Sequence, residues 1–318
     1  MLGDTLTLDA VESNFPERTV TVEERAAELG LKPAQVHLFR QIMGLDRMRY
    51  DPDMDLYQLV LPAARRAMAG VDPRSIKYLI YVHAAQEIGP STVDPAREIR
   101  DALGLRHATA FALTQQSCAG CLTAIDTAGT LLRADGDPAA RALVVTGEKN
   151  YSRGTQVIFN ACLLAEGAAA ALVSWNGPGD PILSFAARTH GEHSKPQRVH
   201  GAMTNRIPED RAGLFGPVMG EAATRAGCTL ADVQTVISTN SNRVFLHDMT
   251  EYMRFKPGTV FVDNLPRYSH CLASDLLINY VTLRDEGRLE PGRPQLFWAV
   301  GVGMTLAAMI FTHRGTAA

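Results

Sequence analysis

The sequence of 318 residues lacks the features that mark several classes of protein. No apolar stretch approaches the roughly 18–20 residues that span a bilayer, so a membrane protein is not expected. The acidic N-terminus shows no charged-then-apolar signal pattern. The net charge is −3 and no basic run stands out, which argues against nucleic acid or an anionic membrane as a partner.

Cysteine is also scarce, and its five copies are odd in number and widely spread: Cys118, Cys121, Cys162, Cys228 and Cys271. This usage predicts a reduced, cytoplasmic protein with free thiols. Cys118 and Cys121 form a Cys-x-x-Cys, the spacing of a redox pair or half a zinc site. No second Cys-x-x-Cys and no His-x-x-x-His completes a metal shell, and Ala-Gly is unlike the usual redox dipeptides. We therefore expect no metal and no cofactor.

The pattern along the chain alternates between short apolar runs and helical periodicity, which predicts a layered α/β architecture. The turn Asn176-Gly177-Pro178-Gly179 indicates a boundary, after which the same pattern begins again. We therefore predict a duplicated fold with halves 1–176 and 177–318. In the second half the pattern predicts a strand at Thr259–Asp263 and a helix from about His270 to Arg284. The polar stretch Thr189–Asp210 is expected to be a long loop.

Cys118 lies where a predicted strand, Thr109–Leu113, runs into a predicted helix, Cys118–Ala134. A helix N-terminus offers unpaired N–H groups and partial positive charge, which favour a thiolate over a thiol. The main-chain N–H of such a cysteine also faces an oxygen that gains negative charge during acyl transfer. The sequence therefore predicts a nucleophile at Cys118. A buried structural cysteine is the alternative.

Several motifs occur in a fixed order along most of the chain. They are Tyr78-Leu-Ile-Tyr-Val-His-Ala-Ala-Gln-Glu, Leu103-Gly-Leu, Ser117-Cys118-Ala119-Gly120, Ala142-Leu-Val-Val-Thr-Gly-Glu, Glu166-Gly167-Ala-Ala-Ala-Ala-Leu-Val, Leu289-Glu-Pro-Gly and Gly301-Val-Gly303-Met-Thr305. In this order they resemble the ketosynthase III (3-oxoacyl-ACP synthase III) branch of the thiolase superfamily. The resemblance implies a duplicated, five-layered α/β/α/β/α thiolase fold, and usually a homodimer.

The resemblance also implies a Cys–His–Asn site. The family's cysteine falls on Cys118. The glycine whose N–H completes the oxyanion hole falls on Gly303. A Gly-x-Gly is otherwise a feature of dinucleotide sites, but only 15 residues follow Gly303, too few for the βαβ unit that such a site requires.

The other two family positions depart from the pattern. Where the family has its histidine, this chain has Thr239 or Asn240, depending on a one-residue gap. Where the family has its asparagine, this chain has His270. We expect His270 to act as the general base and Asn240 to fix its orientation, with Asp275 as a weaker candidate for that second role.

The remaining histidines carry less signal. His83 lies in an apolar strand and is expected to be a core or tunnel residue. The predicted long loop carries His190, His193 and His200. These histidines are expected to be solvated. The alternative is that one of them lines the acceptor site. Cys162 lies in an apolar run and is expected to belong to the core.

The family's coenzyme A enzymes carry a Trp and an Arg for the adenine and phosphates. This chain lacks the Trp, and Ile42 stands at the Arg position. A carrier-protein donor is therefore favoured over coenzyme A, and Arg40, Arg47 and Arg49 are candidates for contacting its acidic surface, with plain solvation as the alternative.

The exchanged residues resemble those of ketosynthase-III-like acyltransferases of secondary metabolism. This resemblance implies that an acyl group moves from a carrier protein or coenzyme A onto Cys118, and then to an alcohol or amine. A decarboxylative ketosynthase is the first alternative. A catalytically silent partner subunit is the second.

Overall fold

The structure is a computed structural model. It describes residues 5–85, 88–90, 92–149, 156–158, 161–193, 197–199, 202–204 and 211–315. His200 of the predicted loop therefore lies outside the described residues.

The first half contains strands and helices in alternation. The strands are β1 (Leu6–Asn14), β2 (Thr19–Thr21), β3 (Arg47–Arg49), β4 (Ile76–Val82), β5 (Thr109–Leu113), β6 (Arg141–Gly147), β7 (Val157–Ile158), β8 (Cys162–Leu163) and β9 (Ala168–Trp175). The helices are α1 (Val22–Leu29), α2 (Pro33–His37), α3 (Leu56–Ala67), α4 (Pro95–Ala102) and α5 (Gly120–Asp135).

The second half repeats the alternation. Its strands are β10 (Asp180–Thr189), β11 (Gln197–Val199), β12 (Ala202–Thr204), β13 (Thr235–Ser238), β14 (Pro294–Gly301) and β15 (Thr305–Thr312). Its helices are α6 (Arg211–Arg225), α7 (Arg243–Tyr252), α8 (Leu265–Tyr268) and α9 (Asp275–Asp285).

A nine-stranded sheet in the order β13-β14-β15-β10-β1-β9-β6-β4-β5 unites the two halves. In the first half β4 pairs with β6 in parallel, and the pairs β6–β9 and β9–β1 are antiparallel. The second half repeats this order, with β13–β14 parallel and both β14–β15 and β15–β10 antiparallel. The two sets meet at the β1–β10 pair. This is the duplicated α/β arrangement that the sequence predicts, whereas the boundary at residue 176 stays a prediction.

The helices form the layers on either side of this sheet. Helix α5 contacts β4, β6 and β9 of its own half and β10, β14 and β15 of the other. Helix α9 likewise contacts β13 and β14 as well as β1 and β9, so both helices lie in the central layer. Helices α3 and α4 cover the outer face of the first half, and α6 covers β10 and β15.

Helix ends follow the local sequence where a capping pattern is present. The N–H of Glu24 donates to Thr21 Oγ1 at 3.2 Å, and the N–H of Thr21 donates to the Glu24 carboxylate at 2.6 Å. This reciprocal pair is a capping box at the start of α1. Within the described ranges, no helix combines the length and the apolar character that crossing a membrane requires.

Three sequence predictions differ from the structure. The strand expected at Thr259–Asp263 is reduced to a single bridge between Val260 and Val236. The helix expected from His270 begins only at Asp275, because positive φ angles at Ser269 and Leu272 interrupt it. Part of the expected long loop forms the hairpin β11–β12.

Gly179 contacts β1 of the first half and offers a test of how closely the two halves pack. Its N–H donates to Asp9 Oδ1 at 3.3 Å, and a Cβ on Gly179 would lie 1.9 Å from the carbonyl oxygen of Leu8. Main-chain atoms cannot move aside without distorting the strand to which they belong. We therefore expect Gly179→Ala to lower the free energy of unfolding by about 1–3 kcal/mol. Chemical denaturation followed by circular dichroism measures the change.

Gly220 within α6 is the matched control, since a Cβ there would meet nothing within 4 Å. Gly220→Ala is expected to raise the free energy of unfolding by roughly 0.5–1 kcal/mol, because alanine is the better helix former. Equal stability changes in the two variants would contradict the steric argument.

Candidate active site

The segment that carries Cys118 is a strained strand-to-helix junction. After β5, Gln115 and Ser117 adopt positive φ angles of 70° and 51°. A single 3-10 turn, Ser117–Ala119, then leads into α5. Side chains rarely tolerate such angles, and each costs on the order of 1–3 kcal/mol. The strain turns the chain so that Cys118 lines a cavity while remaining 3% exposed.

His270 lies beside this thiol, although 152 residues separate the two in sequence. Its Nε2 is 3.6 Å from Cys118 Sγ, and its Nδ1 donates to Asp275 Oδ2 at 2.5 Å. Residue 270 is held by β8, since its N–H donates to the Leu163 carbonyl at 3.1 Å. The three side chains therefore form a Cys–His–Asp line with the imidazole in the middle.

Asp275 is the hub of the hydrogen bonds behind the imidazole. Besides His270, its carboxylate accepts from the main-chain N–H of Asn240 at 2.6 Å and from that of Cys271 at 2.8 Å. The Asn240 side chain reaches Asp275 Oδ1 at 3.4 Å and exchanges hydrogen bonds with Asn279. Asp275, the weaker candidate from the sequence, is thus the residue that binds and orients His270. Asn240 in turn binds Asp275.

Electrostatics favours a protonated His270. Burial alone would lower the pKa of His270, but the charges of Asp275 and Cys118 raise this pKa well above its ordinary value. Burial raises the pKa of Cys162 to about 11 and that of Cys121 to about 12. These two neighbouring cysteines therefore stay neutral thiols, whereas Cys118 lies against the imidazole of His270.

Gly303 lies in the turn between β14 and β15. The N–H of Met304 donates to the Gly301 carbonyl at 3.0 Å, and φ is 92° at Gly303 and 69° at Met304. Val302 and Met304 line the cavity on either side of Gly303. Gly303 itself is not one of the lining residues, although it lies between two of them in the chain.

Gly301 is a site residue that the sequence reading did not single out. A Cβ on Gly301 would lie 2.0 Å from the carbonyl oxygen of Gln116. Only glycine lets the end of β14 approach the chain that leads into Cys118 this closely. The Gly-x-Gly spacing was visible in the sequence, but the close approach is a property of the assembled halves.

The cavity has a volume of about 230 Å³. Its lining is polar near the catalytic line and apolar elsewhere: Ser117, Cys118, Ile158, Ala161, Cys162, Thr239, Ser241, Asn242, Phe245, His270, Leu272, Val300, Gly301, Val302 and Met304. Thr239 belongs to this wall, whereas Asn240 is fully buried behind it. Cys162, expected in the core, is buried yet borders the cavity.

Other residues named from the sequence lie outside the catalytic line. His83 is buried, stacks on Tyr81 with ring centroids 5.3 Å apart, and places Nδ1 2.5 Å from the Ala85 carbonyl oxygen. His190 pairs with Glu192 at 3.2 Å. In the described part of the chain, no group of three or more His, Cys, Asp or Glu side chains is placed to hold a metal ion.

Comparison with known proteins gives a consistent result. A family model of 3-oxoacyl-[acyl-carrier-protein] synthase III matches residues 114–191, and a model of the C-terminal part of the same enzymes matches residues 223–313. Together they cover more than half of the chain. The β-ketoacyl-[acyl-carrier-protein] synthase III of Erythrobacter litoralis is 28% identical over 323 residues, spanning 95% of this chain and 97% of the relative.

Two solved structures agree in fold. ChlB3, described as an acyltransferase, superimposes with a TM-score of 0.86 at 21% identity and 99% coverage of both chains. The 3-oxoacyl-[acyl-carrier-protein] synthase III of Aquifex aeolicus gives a TM-score of 0.77 at 19% identity, covering 98% of this chain and 100% of its own. The predicted thiolase fold is therefore confirmed.

The role of Asp275 can be tested through the reactivity of the thiol. In Asp275→Asn, His270 loses the carboxylate that favours its imidazolium, so Cys118 loses its cationic neighbour at neutral pH. We expect alkylation of Cys118 by iodoacetamide at pH 7 to slow about tenfold, the equivalent of ~1.4 kcal/mol. Peptide mass spectrometry measures the rate, with half-exposed Cys228 as the internal reference.

Asp285→Asn at the exposed end of α9 is the control variant, since Asp285 pairs with Arg284 and not with the site. Its Cys118 rate should equal that of the unmodified protein. An unchanged ratio of Cys118 to Cys228 labelling in Asp275→Asn would refute the proposed support of the thiolate.

Proposed function

The chain belongs to the 3-oxoacyl-[acyl-carrier-protein] synthase III family, and from that premise we propose that it is an acyltransferase with an acyl-cysteine intermediate. The observation that carries the proposal is the Cys118–His270–Asp275 line, with contacts of 3.6 Å and 2.5 Å. A buried imidazole between a thiol and a carboxylate is suited to activating a nucleophile and then an acceptor. The donor is an acyl thioester and the acceptor a small alcohol or amine.

The first half-reaction loads the enzyme. The Cys118 thiolate attacks the thioester carbonyl, and the oxyanion is stabilised by the N–H groups of Cys118 and Gly303. The bond from carbon to the donor sulfur then breaks, and the donor thiol leaves with a proton from His270. The acyl group stays on Cys118, within a cavity whose wall is largely apolar.

The second half-reaction delivers the acyl group. Neutral His270 accepts the proton of the acceptor hydroxyl or amine as this group attacks the acyl carbon, and Cys118 leaves as the thiolate. Asp275 stabilises the imidazolium that forms. General-base assistance of this kind contributes about 10²–10⁴-fold to the rate.

Decarboxylative condensation is the alternative reaction. It requires two donors that hold the enolate oxygen of a malonyl thioester. In this chain Asn240 binds Asp275 and Asn279 behind the cavity wall, and Thr239 takes the place on the wall. This arrangement favours transfer to a heteroatom over carbon–carbon bond formation. The intact contact between Cys118 and His270 separately argues against a catalytically silent subunit.

We further propose that the donor is a carrier protein, with coenzyme A as the alternative. Arg40 is engaged by Glu23 and Asp46, and Arg49 donates to the Pro16 and Glu17 carbonyls, so neither is free to clamp nucleotide phosphates. The side chain of Arg47 is 60% exposed and makes only a long contact of 3.8 Å to Asp46, so it is the best placed of the three to meet an acidic partner surface. Because the exchanged residues resemble those of acyltransferases of secondary metabolism, we also propose a role in natural-product biosynthesis, such as antibiotic biosynthesis. The free cysteines favour the cytoplasm as its location.

We also propose that the protein is a homodimer joined at β5. Among the described strands, β5 lies at one end of the large sheet, and its residues are partly exposed although they are mostly apolar. An open apolar edge of this kind favours pairing with a second strand. The same strand leads into Cys118, so a second copy at this edge would support the nucleophile segment.

Loading can be tested by intact-protein mass spectrometry with a panel of acyl-carrier thioesters. We expect the unmodified protein to gain the mass of the acyl group and Cys118→Ala to gain nothing. His270→Ala should transfer the acyl group to an alcohol or amine at least about 10²-fold more slowly, because the general base is lost.

The outcomes separate the three hypotheses. Release of carbon dioxide from a malonyl thioester would favour the condensing enzyme. Absence of an adduct with every thioester would favour the silent subunit. Unimpaired transfer by His270→Ala would show that the proposed base is wrong.

The dimer can be tested by light scattering on the eluting protein. We expect twice the mass of the chain, and we expect Ala112→Lys on the exposed part of β5 to shift the protein toward the monomer, because the new charge would be buried at the pairing edge. Ala139→Lys, at another exposed alanine, should remain dimeric. A monomer in the unmodified protein would exclude the proposed pairing.

A further inference from the structure

Glu148 is a buried carboxyl group that the proposed reaction does not use. It follows β6 directly and is 4% exposed. Its Oε1 accepts from the N–H of Ala84 at 2.8 Å, and its Oε2 accepts from the N–H of Ala85 at 2.6 Å. Each carboxylate oxygen thus holds one N–H of the segment that follows β4.

That segment is part of the wall around the nucleophile. Ala84 packs against the small apolar cluster of Cys118, Leu164 and Leu272. His270 also lowers the pKa of Glu148 by its charge, which places the carboxyl group within electrostatic reach of the catalytic line. Glu148 therefore connects the end of β6 to the chain that contacts Cys118.

The hydrogen bonds at Glu148 depend on its ionisation. A carboxylate has acceptors on both oxygens, so it satisfies both N–H groups. A carboxylic acid turns one oxygen into an O–H donor, and this donor would then face a second donor. Protonation therefore weakens one of the two contacts, because the protonated oxygen is the poorer acceptor for its buried N–H.

We propose that Glu148 is a positioning residue whose carboxylate clamps the Ala84–Ala85 main chain against Cys118, and that the clamp opens when this carboxylate takes up a proton. The inference rests on the proposed function only where acyl loading is the readout. Glu148 acts through the main chain of its neighbours and touches no reacting atom.

The charge state of Glu148 changes in the neutral range. Burial raises its pKa to about 7, against the opposing effect of the two N–H groups and of His270. The clamp is therefore closed above pH 7 and opens as the pH falls through this value. Reactivity of Cys118 should decline in the same direction.

The other titratable groups around Glu148 behave differently. His83, whose Nδ1 contacts the Ala85 carbonyl, has its pKa lowered by burial and stays neutral. His270 has its pKa raised well above the ordinary value. The hydroxyl of Tyr81 donates to the Gly147 carbonyl, and Lys149 binds Glu166 at 2.6 Å and the Asp51 carbonyl. Loss of the transition near pH 7 in Glu148→Gln is therefore the result that assigns it to Glu148.

The experiment compares the unmodified protein with Glu148→Gln between pH 6 and 8.5. Two rates are measured, the alkylation of Cys118 by iodoacetamide and its loading by an acyl-carrier thioester. Glutamine mimics the protonated acid, because its amide accepts from one N–H and presents a donor to the other. We expect Glu148→Gln to be about tenfold slower at pH 8.5 and to lack the transition near pH 7.

Two variants serve as controls. Glu98→Gln on the exposed side of α4 should reproduce the profile of the unmodified protein. Glu148→Asp keeps the charge but cannot reach both N–H groups, so it should react more slowly while a transition in the neutral range remains. If Glu148→Gln does not fold, Glu148→Asp becomes the deciding variant. Loss of the transition in the neutral range in Glu148→Asp would then overturn the proposal.

Two further results would overturn it. One is a Glu148→Gln profile that superimposes on that of the unmodified protein. The other is an equal slowing at every pH, which marks a purely structural side chain. Alkylation by iodoacetamide involves no acyl group. If the alkylation rate shows the transition but no variant is loaded by an acyl thioester, the proposed function is rejected and the clamp is retained.

Discussion

The hydrogen bond between His270 and Asp275 is the interaction on which the site depends. An imidazole buried this deeply would lose its proton without a neighbouring negative charge, because burial disfavours the charged form. Asp275 supplies that charge, and its own burial is compensated by the N–H groups of Asn240 and Cys271. One carboxylate thus fixes the imidazole, the loop after β13 and the turn before α9.

The site also stores conformational strain. Of the seven non-glycine residues with positive φ in the described chain, five lie beside the catalytic residues: Gln115, Ser117, Ser269, Leu272 and Met304. Each costs on the order of 1–3 kcal/mol, so the surrounding packing must over-determine it. The close approach of Gly301 to Gln116 shows how two of these strained segments meet.

Much of the fold was predictable because it depends on local periodicity. The strand β5 has the predicted bounds, and the capping box of Thr21 and Glu24 marks the start of α1. The contact between Asp275 and His270 depends on tertiary structure instead. Five residues along a regular helix would point its carboxyl away from His270, but a 3-10 turn at Leu272–Ser274 and the positive φ of Leu272 bring it back. The environment of Glu148 likewise depends on chain segments 63 and 64 residues away.

The separation of the proposed catalytic residues along the chain has a consequence for the synthesis of the protein. Cys118 belongs to the first half and His270 to the second, 152 residues later. During translation the thiol emerges well before the imidazole, and it has no cationic neighbour at this position until α9 has packed against the sheet. The arrangement of Cys118 against a charged imidazole therefore requires both halves, and its formation reports that they have docked.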